Sequence, residues 1–467
     1  MISQNSPGQY QLKLPKRNLL ISGKLILLAI IILAVVLRLA SAIYQRNTIT
    51  DLPGIFDQIS YDGLARRLID GHGFSFAEGH WPATRAGEPT AHWSYLYTLY
   101  LTIVYILFGA KPLVARIIQA ILVGVLQPFF TWRIARRIFG EGIGLVAAAF
   151  SAVYIYFFYY AGGLITESFY IVGVLWVIDI AFRITDAKNT NSRENSILPW
   201  LELGLAIGLT VLLRQVYLMF LPFLYLWIVF VATQPADRLP IIARFKRLFT
   251  WPLVRGVSVS IIILVLLIIP WTLRNYSAFH KFVLLNTNAG FAFFWGNHPI
   301  YGTSFIPLLP GDTYYTLIPD ELKSLSEAEI DSALLKLGLQ FVFDDPGRIF
   351  LLSLTRAREF FKFWPSADSS LISNISRVGS FGIALPFILY GIWVTITSTL
   401  KTAGFTQKSR LFLLFIFIVV YTGIHLVSWA LIRYRLPVDA VFLIFAAFGL
   451  VKIANKLKIT AKIVEHV

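Results

Sequence analysis

Roughly ten apolar runs, spread along the chain and separated by short charged segments, limit this sequence to one kind of solvent. With 57% hydrophobic and 14% charged residues over 467 positions, and a mean hydropathy of +0.69, there is more apolar surface than a soluble core can bury. A bilayer accommodates it, and within lipid a helix satisfies its own backbone. The expected fold is therefore an all-α polytopic membrane protein, with runs at roughly 25–43, 112–132, 143–162, 168–184, 198–213, 217–232, 253–273, 379–399, 411–430 and 437–453. The 12 Trp and 21 Tyr suit a chain that meets two water–lipid interfaces. The absence of cysteine removes disulfides, thiolate nucleophiles and Cys-based metal sites.

The net charge of +16 matters through its placement. Basic residues gather as Arg133/Arg136/Arg137, Arg183/Lys188/Arg193, Arg238/Arg244/Lys246/Arg247, Lys401/Lys408/Arg410 and a tail with Lys452, Lys456, Lys458 and Lys462. Ser94 to Gly109 decides the topology. It makes about 24 Å of helix against about 30 Å of hydrocarbon and carries Tyr95, Tyr97, Tyr100 and Tyr105. If it crossed, Arg133, Arg136 and Arg137 would fall outside, and Glu167 would lie opposite Asp57. If it lies in the outer leaflet, every basic loop becomes cytoplasmic, as the positive-inside bias requires. The second arrangement gives about ten transmembrane helices within a range of roughly nine to thirteen, both termini cytoplasmic, in a plasma (inner) membrane. Residues 1–18 read as a polar tail, and the first run as a retained anchor despite Ala40-Ser41-Ala42.

One domain, 1–467, then carries two outer segments, 46–111 and 274–378, with no internal repeat and no separate soluble domain. In the first segment Asp57, Tyr61, Leu64 and Leu68 share one helical face, while Asp62, Arg66 and Asp70 face away. Gly71 and Gly73 stop that helix. In the second, Ser326 opens an amphipathic helix to Phe343 with Glu327 and Glu329 in its first turn. Phe350 to Trp364 is too charged to cross and belongs at the interface.

The outer inventory is Asp57, Asp62 and Glu167, with Arg214, Arg274, Arg433 and Arg435, and with His92, Asn297 and His298. No nucleotide-binding Gly-rich loop, Gly-x-Ser-x-Gly elbow or His-Glu-x-x-His occurs, so nucleotide hydrolysis, serine hydrolase and zincin readings lack support. His72, His80 and His92 match no standard zinc spacing. An enzyme on that face has neither ATP nor a nucleotide sugar. Arginines near the leaflet and a carboxylate fit a lipid-phosphate donor, with Arg on the leaving phosphate and Asp57 doing acid–base work.

Asp57-x-x-x-Tyr61, the Gly71-His72-Gly73-Phe74 continuation, Pro89-Thr90-Ala91, Phe108-Gly109, Arg136-Arg137-Ile138-Phe139-Gly140, Thr166-Glu167, Leu212-Leu213-Arg214, Pro270-Trp271-Thr272-Leu273-Arg274, Gly296-Asn297-His298-Pro299 and Arg433-Tyr434-Arg435-Leu436-Pro437 resemble the GT-C glycosyltransferases. The likeness is to the bacterial family akin to protein O-mannosyltransferases and aminoarabinose transferases (family 39-like). It implies a GT-C-like fold with juxtamembrane helices and inverting transfer of one sugar from a polyprenyl phosphate to a protein, lipid or polysaccharide acceptor. Asp57 matches the catalytic carboxylate. Tyr61, His92, Glu167, Arg214, Arg274, Asn297, His298, Arg433 and Arg435 become the substrate-binding set. No cofactor is required; a divalent cation, if any, would sit on Asp57 and Glu167. The sequence departs at Gln58, where many relatives carry a second acid, and at Ser94-Tyr95-Leu96-Tyr97 in place of Pro-Gly-Tyr-Pro.

Structural roles compete at each position. Asp57 can cap its helix, Glu167 can complement a dipole, and Arg214, Arg274, Arg433 and Arg435 can snorkel to headgroups. Two other functions stay open: a lipid-linked glycan ligase or polymerase, and a flippase of lipid-linked sugar. The near absence of charge in the middles of the runs favours chemistry at one face over transport.

Overall fold

The computed structural model describes residues 9–14, 17–50, 57–187, 196–233, 250–309, 313–367 and 369–457. The cytoplasmic linker and the basic residues expected at 188–195, 238–247 and 458–462 lie outside them. Part of the expected polar tail is structured: β1 (Gln9–Leu14) pairs antiparallel with β2 (Arg17–Ser22), Leu12 opposite Leu19. The alternation Tyr10, Leu12, Leu14 within a polar background carries the strand period.

The helices follow in order: α1 (Gly23–Gln45), α2 (Asp57–Ile69), α3 (Tyr95–Phe108), α4 (Pro112–Phe139), α5 (Glu141–Val153), α6 (Ile155–Gly162), α7 (Glu167–Ala187), α8 (Leu198–Leu213) and, after a 3₁₀ turn over Gln215–Phe220, α9 (Leu221–Thr233). Then come α10 (Trp251–Phe279), α11 (Ala289–Asn297), α12 (Glu327–Asp344), α13 (Pro346–Phe360), α14 (Leu371–Thr402), α15 (Phe405–Val427) and α16 (Leu436–Lys456). Among the described residues 8 helices are long and apolar enough to cross a membrane, and up to 9 if the bent α5–α6 pair is one span. Each expected run falls in a helix of this set or in α8, which has 16 residues. The protein is an integral membrane protein, and among the described residues it is helical apart from the terminal hairpin.

Local chemistry explains the boundaries. Ser94 caps α3 by accepting from the Tyr97 N–H at 3.3 Å. Ser326 and Glu329 form the capping box of α12, and Pro346 opens α13 with the Asp345 carboxylate accepting from the Arg348 N–H at 2.8 Å. The run expected at 143–162 is broken instead of continuous. The backbone of Tyr154 is extended there, α5 and α6 meet at a 48° bend, and Ser380 Oγ accepts from the Tyr156 N–H at 3.2 Å, satisfying a donor that the break frees.

Burial singles out two central helices. In α7 and in the final span, 78% and 83% of the apolar window is covered by protein, against 22% for α1. Glu167 opens the first of these and Arg433 lies at the start of the second. Even the lipid-facing α1 holds one buried charge, Arg38, which donates to Gln127 Oε1 at 3.1 Å and to the Ser151 carbonyl at 3.2 Å. That cation is paired inside the bundle, as membrane charges must be.

Candidate active site

Four helix ends converge. Asp57 begins α2, Glu167 begins α7, Arg214 follows the last residue of α8, and Arg433 sits in the 3₁₀ turn Ile432–Arg435 that feeds α16. Carboxylates at helix N-termini and a guanidinium at a C-terminus complement the backbone dipoles, so Asp57, Glu167 and Arg214 are locally favoured before any partner is met, whereas Arg433, at the N-terminal side of α16, depends on its carboxylate partners. The four then pair. Arg433 forks Asp57, with Nη1 2.9 Å from Oδ2 and Nη2 3.3 Å from Oδ1, and its Nε lies 3.7 Å from Glu167 Oε1. Glu167 also takes a short contact from Arg214, whose Nε donates to Thr166 Oγ1 at 2.9 Å. Side-chain exposure ranks them: Asp57 20%, Arg214 16%, Arg433 12%, Glu167 1%. Asp57 is thus the more open of the two carboxylates, and Glu167 the buried one between the two guanidiniums.

Aromatic rings line this array. Both guanidiniums lie 5.3 Å from the centre of the Tyr434 ring, and Tyr434 stacks on His425 at 4.9 Å. Tyr61 is buried edge-on to Trp93 and Tyr97, and its hydroxyl accepts from the Ser94 N–H at 3.4 Å. Burial, reinforced by the Asp57 charge, pushes the Tyr61 phenol above its ordinary value, so it stays a neutral hydroxyl. His92 is buried with Nδ1 3.1 Å from the Thr287 carbonyl, which assigns the proton to Nδ1. Burial lowers its pKa against the opposing charges of Glu327 and Asp57, so the ring is neutral near pH 7.

The remaining expected contacts lie elsewhere. Arg274 stacks on Trp271 and donates to the Thr90 carbonyl at 2.7 Å and the Phe74 carbonyl at 3.0 Å, pinning the first outer loop. Arg435, two residues beyond Arg433, is fully buried, donating to Asp439 Oδ1 at 2.8 Å and to the Phe360 carbonyl; Tyr154 holds the other Asp439 oxygen at 2.7 Å. The 3₁₀ turn sends the two arginines in different directions. Asn297 donates to the Phe293 and Val427 carbonyls and accepts from Arg356 at 2.9 Å. His298 caps the following turn by accepting from the Ile300 N–H at 3.1 Å. These four positions hold the architecture together and do not touch the Asp57 array.

Two acids play parts the sequence does not reveal. Asp62, expected to face away from the site face, is buried: it accepts from Tyr105 Oη at 2.6 Å and Arg66 Nε at 2.8 Å, joining α2 to α3. Glu327, readable only as a first-turn acid of α12, is buried and accepts from the Ala91 N–H at 2.8 Å and the Thr84 and Thr287 hydroxyls. Gln58 is locked as well, its Oε1 accepting from Arg116 at 3.0 Å and its amide donating to the Thr50 carbonyl. Among the described residues no three His, Asp or Glu side chains come close enough together to hold a metal ion.

The architecture is one that solved structures share. The apo oligosaccharyltransferase of Archaeoglobus fulgidus aligns over 94% of this chain and 51% of its own, with 15% identity and a TM-score of 0.56. The same organism's oligosaccharyltransferase AglB in complex with an inhibitory peptide and a dolichol-phosphate aligns over 93% and 51%, with 16% identity and a TM-score of 0.55. ArnT from Cupriavidus metallidurans bound to undecaprenyl phosphate aligns over 92% and 79%, with 16% identity and a TM-score of 0.36. No curated protein matches the chain in sequence at a significant level. The chain spans about half the length of the oligosaccharyltransferase structures it matches. Its fold is that of the GT-C membrane glycosyltransferases. Residues 94–271 match the family model of dolichyl-phosphate-mannose-protein mannosyltransferase, a stretch that includes Glu167 and Arg214.

Proposed function

We propose that the protein is an inverting glycosyltransferase that moves one sugar from a polyprenyl-phosphate donor to an acceptor hydroxyl at the extracytoplasmic face of the inner membrane. The observation that carries this reading is the array Asp57–Arg433–Glu167–Arg214, with its most open member a carboxylate and its guanidiniums ready for an anion. In one displacement the acceptor oxygen attacks C1 of the sugar, the C1–O bond to phosphate breaks, and the acceptor proton passes to Asp57. The lipid phosphate leaves with its negative charge facing Arg433 and Arg214. A carboxylate has about four lone-pair directions, so Asp57 can accept a hydroxyl while the Arg433 fork holds its orientation. Tyr61 and Glu167 keep the array in place. The basic loops at 133–137, 183 and 401–410 support cytoplasmic termini, with outer segments at 46–111 and 274–378. A dolichol-phosphate accompanies the fold relative AglB, in keeping with a lipid-linked donor.

The test is donor dependence in proteoliposomes given a polyprenyl-phosphate sugar labelled in the sugar. Transfer of label to an acceptor, with release of the polyprenyl phosphate, is expected. Relocation of the intact labelled lipid across the bilayer without transfer would replace this reading with a flippase.

A further inference from the structure

The sequence leaves room for a divalent cation on Asp57 and Glu167, and a relative in fold, the Archaeoglobus fulgidus oligosaccharyltransferase, has been seen in complex with Zn and sulfate. The residues here do not fit one. We infer that the Arg433 guanidinium occupies the place between Asp57 and Glu167 that a divalent cation would take, so that the site has a built-in cation and binds no metal. Arg433 meets both oxygens of Asp57, at 2.9 and 3.3 Å, and its Nε faces Glu167 Oε1 at 3.7 Å, so one planar group bridges the two carboxylates. Glu167 is further engaged by Arg214.

Charge arithmetic leads the same way. Two carboxylates and two guanidiniums sum to zero, and a dication added between them would be repelled by two fixed positive charges a few ångströms away. A guanidinium also suits the proposed donor, because the N–H groups it does not spend on the carboxylates can donate to a single phosphate without metal-bridged oxygens. This inference rests on reading Asp57 and Glu167 as the working carboxylates. Cation binding is measured without turnover, so its failure and that of the transferase reading are separate results.

The experiment is Mn²⁺ binding to the purified full-length protein, followed by electron paramagnetic resonance, for wild type, Arg433→Ala and Arg433→Ala/Glu167→Gln. Wild type should bind no Mn²⁺ at millimolar concentration, and its transfer rate should be unchanged by a chelator. Removing the guanidinium leaves two carboxylates facing an empty space, and Arg433→Ala should gain a single Mn²⁺ site that the second substitution removes. Mn²⁺ bound by wild type and lost in Asp57→Asn would overturn the inference, and that measurement does not depend on Arg433→Ala folding. A folded Arg433→Ala that binds no Mn²⁺ would overturn it too.

Discussion

Helix α7 carries an ion-pair cluster at each end, and the two clusters are built differently from the same parts. At the Asp57 end, Glu167 joins Arg433 and Arg214, and Asp57 remains one-fifth exposed. At the opposite end Asp179 is fully buried beneath Arg133, Arg137 and Arg183 at 3.1, 3.1 and 3.2 Å; Asp186 pairs with Arg410 and Glu202 with Arg183. An acid near the inner end of its span would be expected to be solvated, and Asp179 is not. Asp179 is saturated: three arginines from α4 and α7 surround it. The cluster ties α4, α7, α8 and α15 together around a closed central carboxylate, while Asp186 and Glu202 at its rim stay 32% and 28% exposed. An ion pair inside a membrane protein is therefore not by itself a sign of chemistry. The difference lies in the carboxylate at the centre of each cluster: three arginines close Asp179, whereas one fork leaves Asp57 an open side.

The largest effect should separate the two ends cleanly. Asp57→Asn keeps the shape but cannot take the acceptor proton, so turnover should fall by about 10²- to 10⁴-fold with expression and donor binding retained. Asp179→Asn should do the reverse. It leaves Arg133 without a carboxylate and weakens the hold on Arg137 and Arg183, which keep Asp186 and Glu202, and should lower stability by about 2 kcal/mol, read as a drop in Tm in detergent, while turnover per folded molecule stays near wild type. Near-normal turnover of purified Asp57→Asn would end its assignment as the base.

A second contrast concerns the fork. Arg433→Lys keeps the charge but has no planar pair of donors, so it cannot meet both Asp57 oxygens and Glu167 at once; a loss of about 10²-fold in kcat/KM is expected. Arg183→Lys at the other end keeps a charge near Asp179, which retains Arg133 and Arg137, and should leave kcat/KM unchanged. Arg435, which sequence reasoning would have paired with Arg433 in this test, is buried against Asp439, so its replacement probes the fold. Equal kinetic losses in Arg433→Lys and Arg183→Lys would show that the two clusters are both merely structural.

What the sequence made legible follows from the range of the forces involved. Lipid acts on every residue of a run, so the runs place the membrane helices, and caps such as Ser326 are set by neighbours a few residues away. Asp57 and Glu167 were legible as candidates because each sits at a readable helix start. Their pairing was not: Arg433 reaches Asp57 across 376 positions. The turn that aims Arg433 at the site and Arg435 into the bundle has no local signature. Nor has Glu327, whose three hydrogen-bond donors come from two distant loops. The break at Tyr154 was hidden because no Pro or Gly marks it; its partners Ser380 and Asp439 arrive from far along the chain.

A smaller effect tests helix α2, which carries Asp57. Asp62→Asn weakens the charge-assisted bonds to Tyr105 and Arg66 that hold α2 to α3, and should cost about 1–2 kcal/mol of stability together with a modest fall in turnover, because Asp57 rides on the same helix. Asp70, exposed at the end of that helix, is the matched control, and Asp70→Asn should be within about 0.5 kcal/mol of wild type. If both substitutions behaved alike in thermal unfolding, the Asp62 clamp would not be supporting the site.

The smallest expected effect is a pH dependence confined to the Asp57 end. Unfolded, His92 takes up its proton near 6.5. In the fold, burial holds its pKa below that value, with Glu327 and Asp57 opposing and Thr287 fixing Nδ1. Between the two pKa values only the unfolded state binds the extra proton, so the contribution is complete above about pH 6.5 and shrinks as the pH falls toward the folded value. His80, which contacts Ser60 Oγ through Nε2 at 2.8 Å and is likewise shifted down by burial, adds in the same direction. The charged cluster around Asp179 contains no histidine, so it adds no histidine titration to this slope. Between pH 7 and 5.5 the Tm of wild type should fall by a few degrees, and His92→Gln, whose amide can still donate to the Thr287 carbonyl, should show a shallower fall. A slope unchanged in His92→Gln but flattened in Asp179→Asn would place the acid sensitivity at the wrong end of α7 and break the contrast between the two clusters.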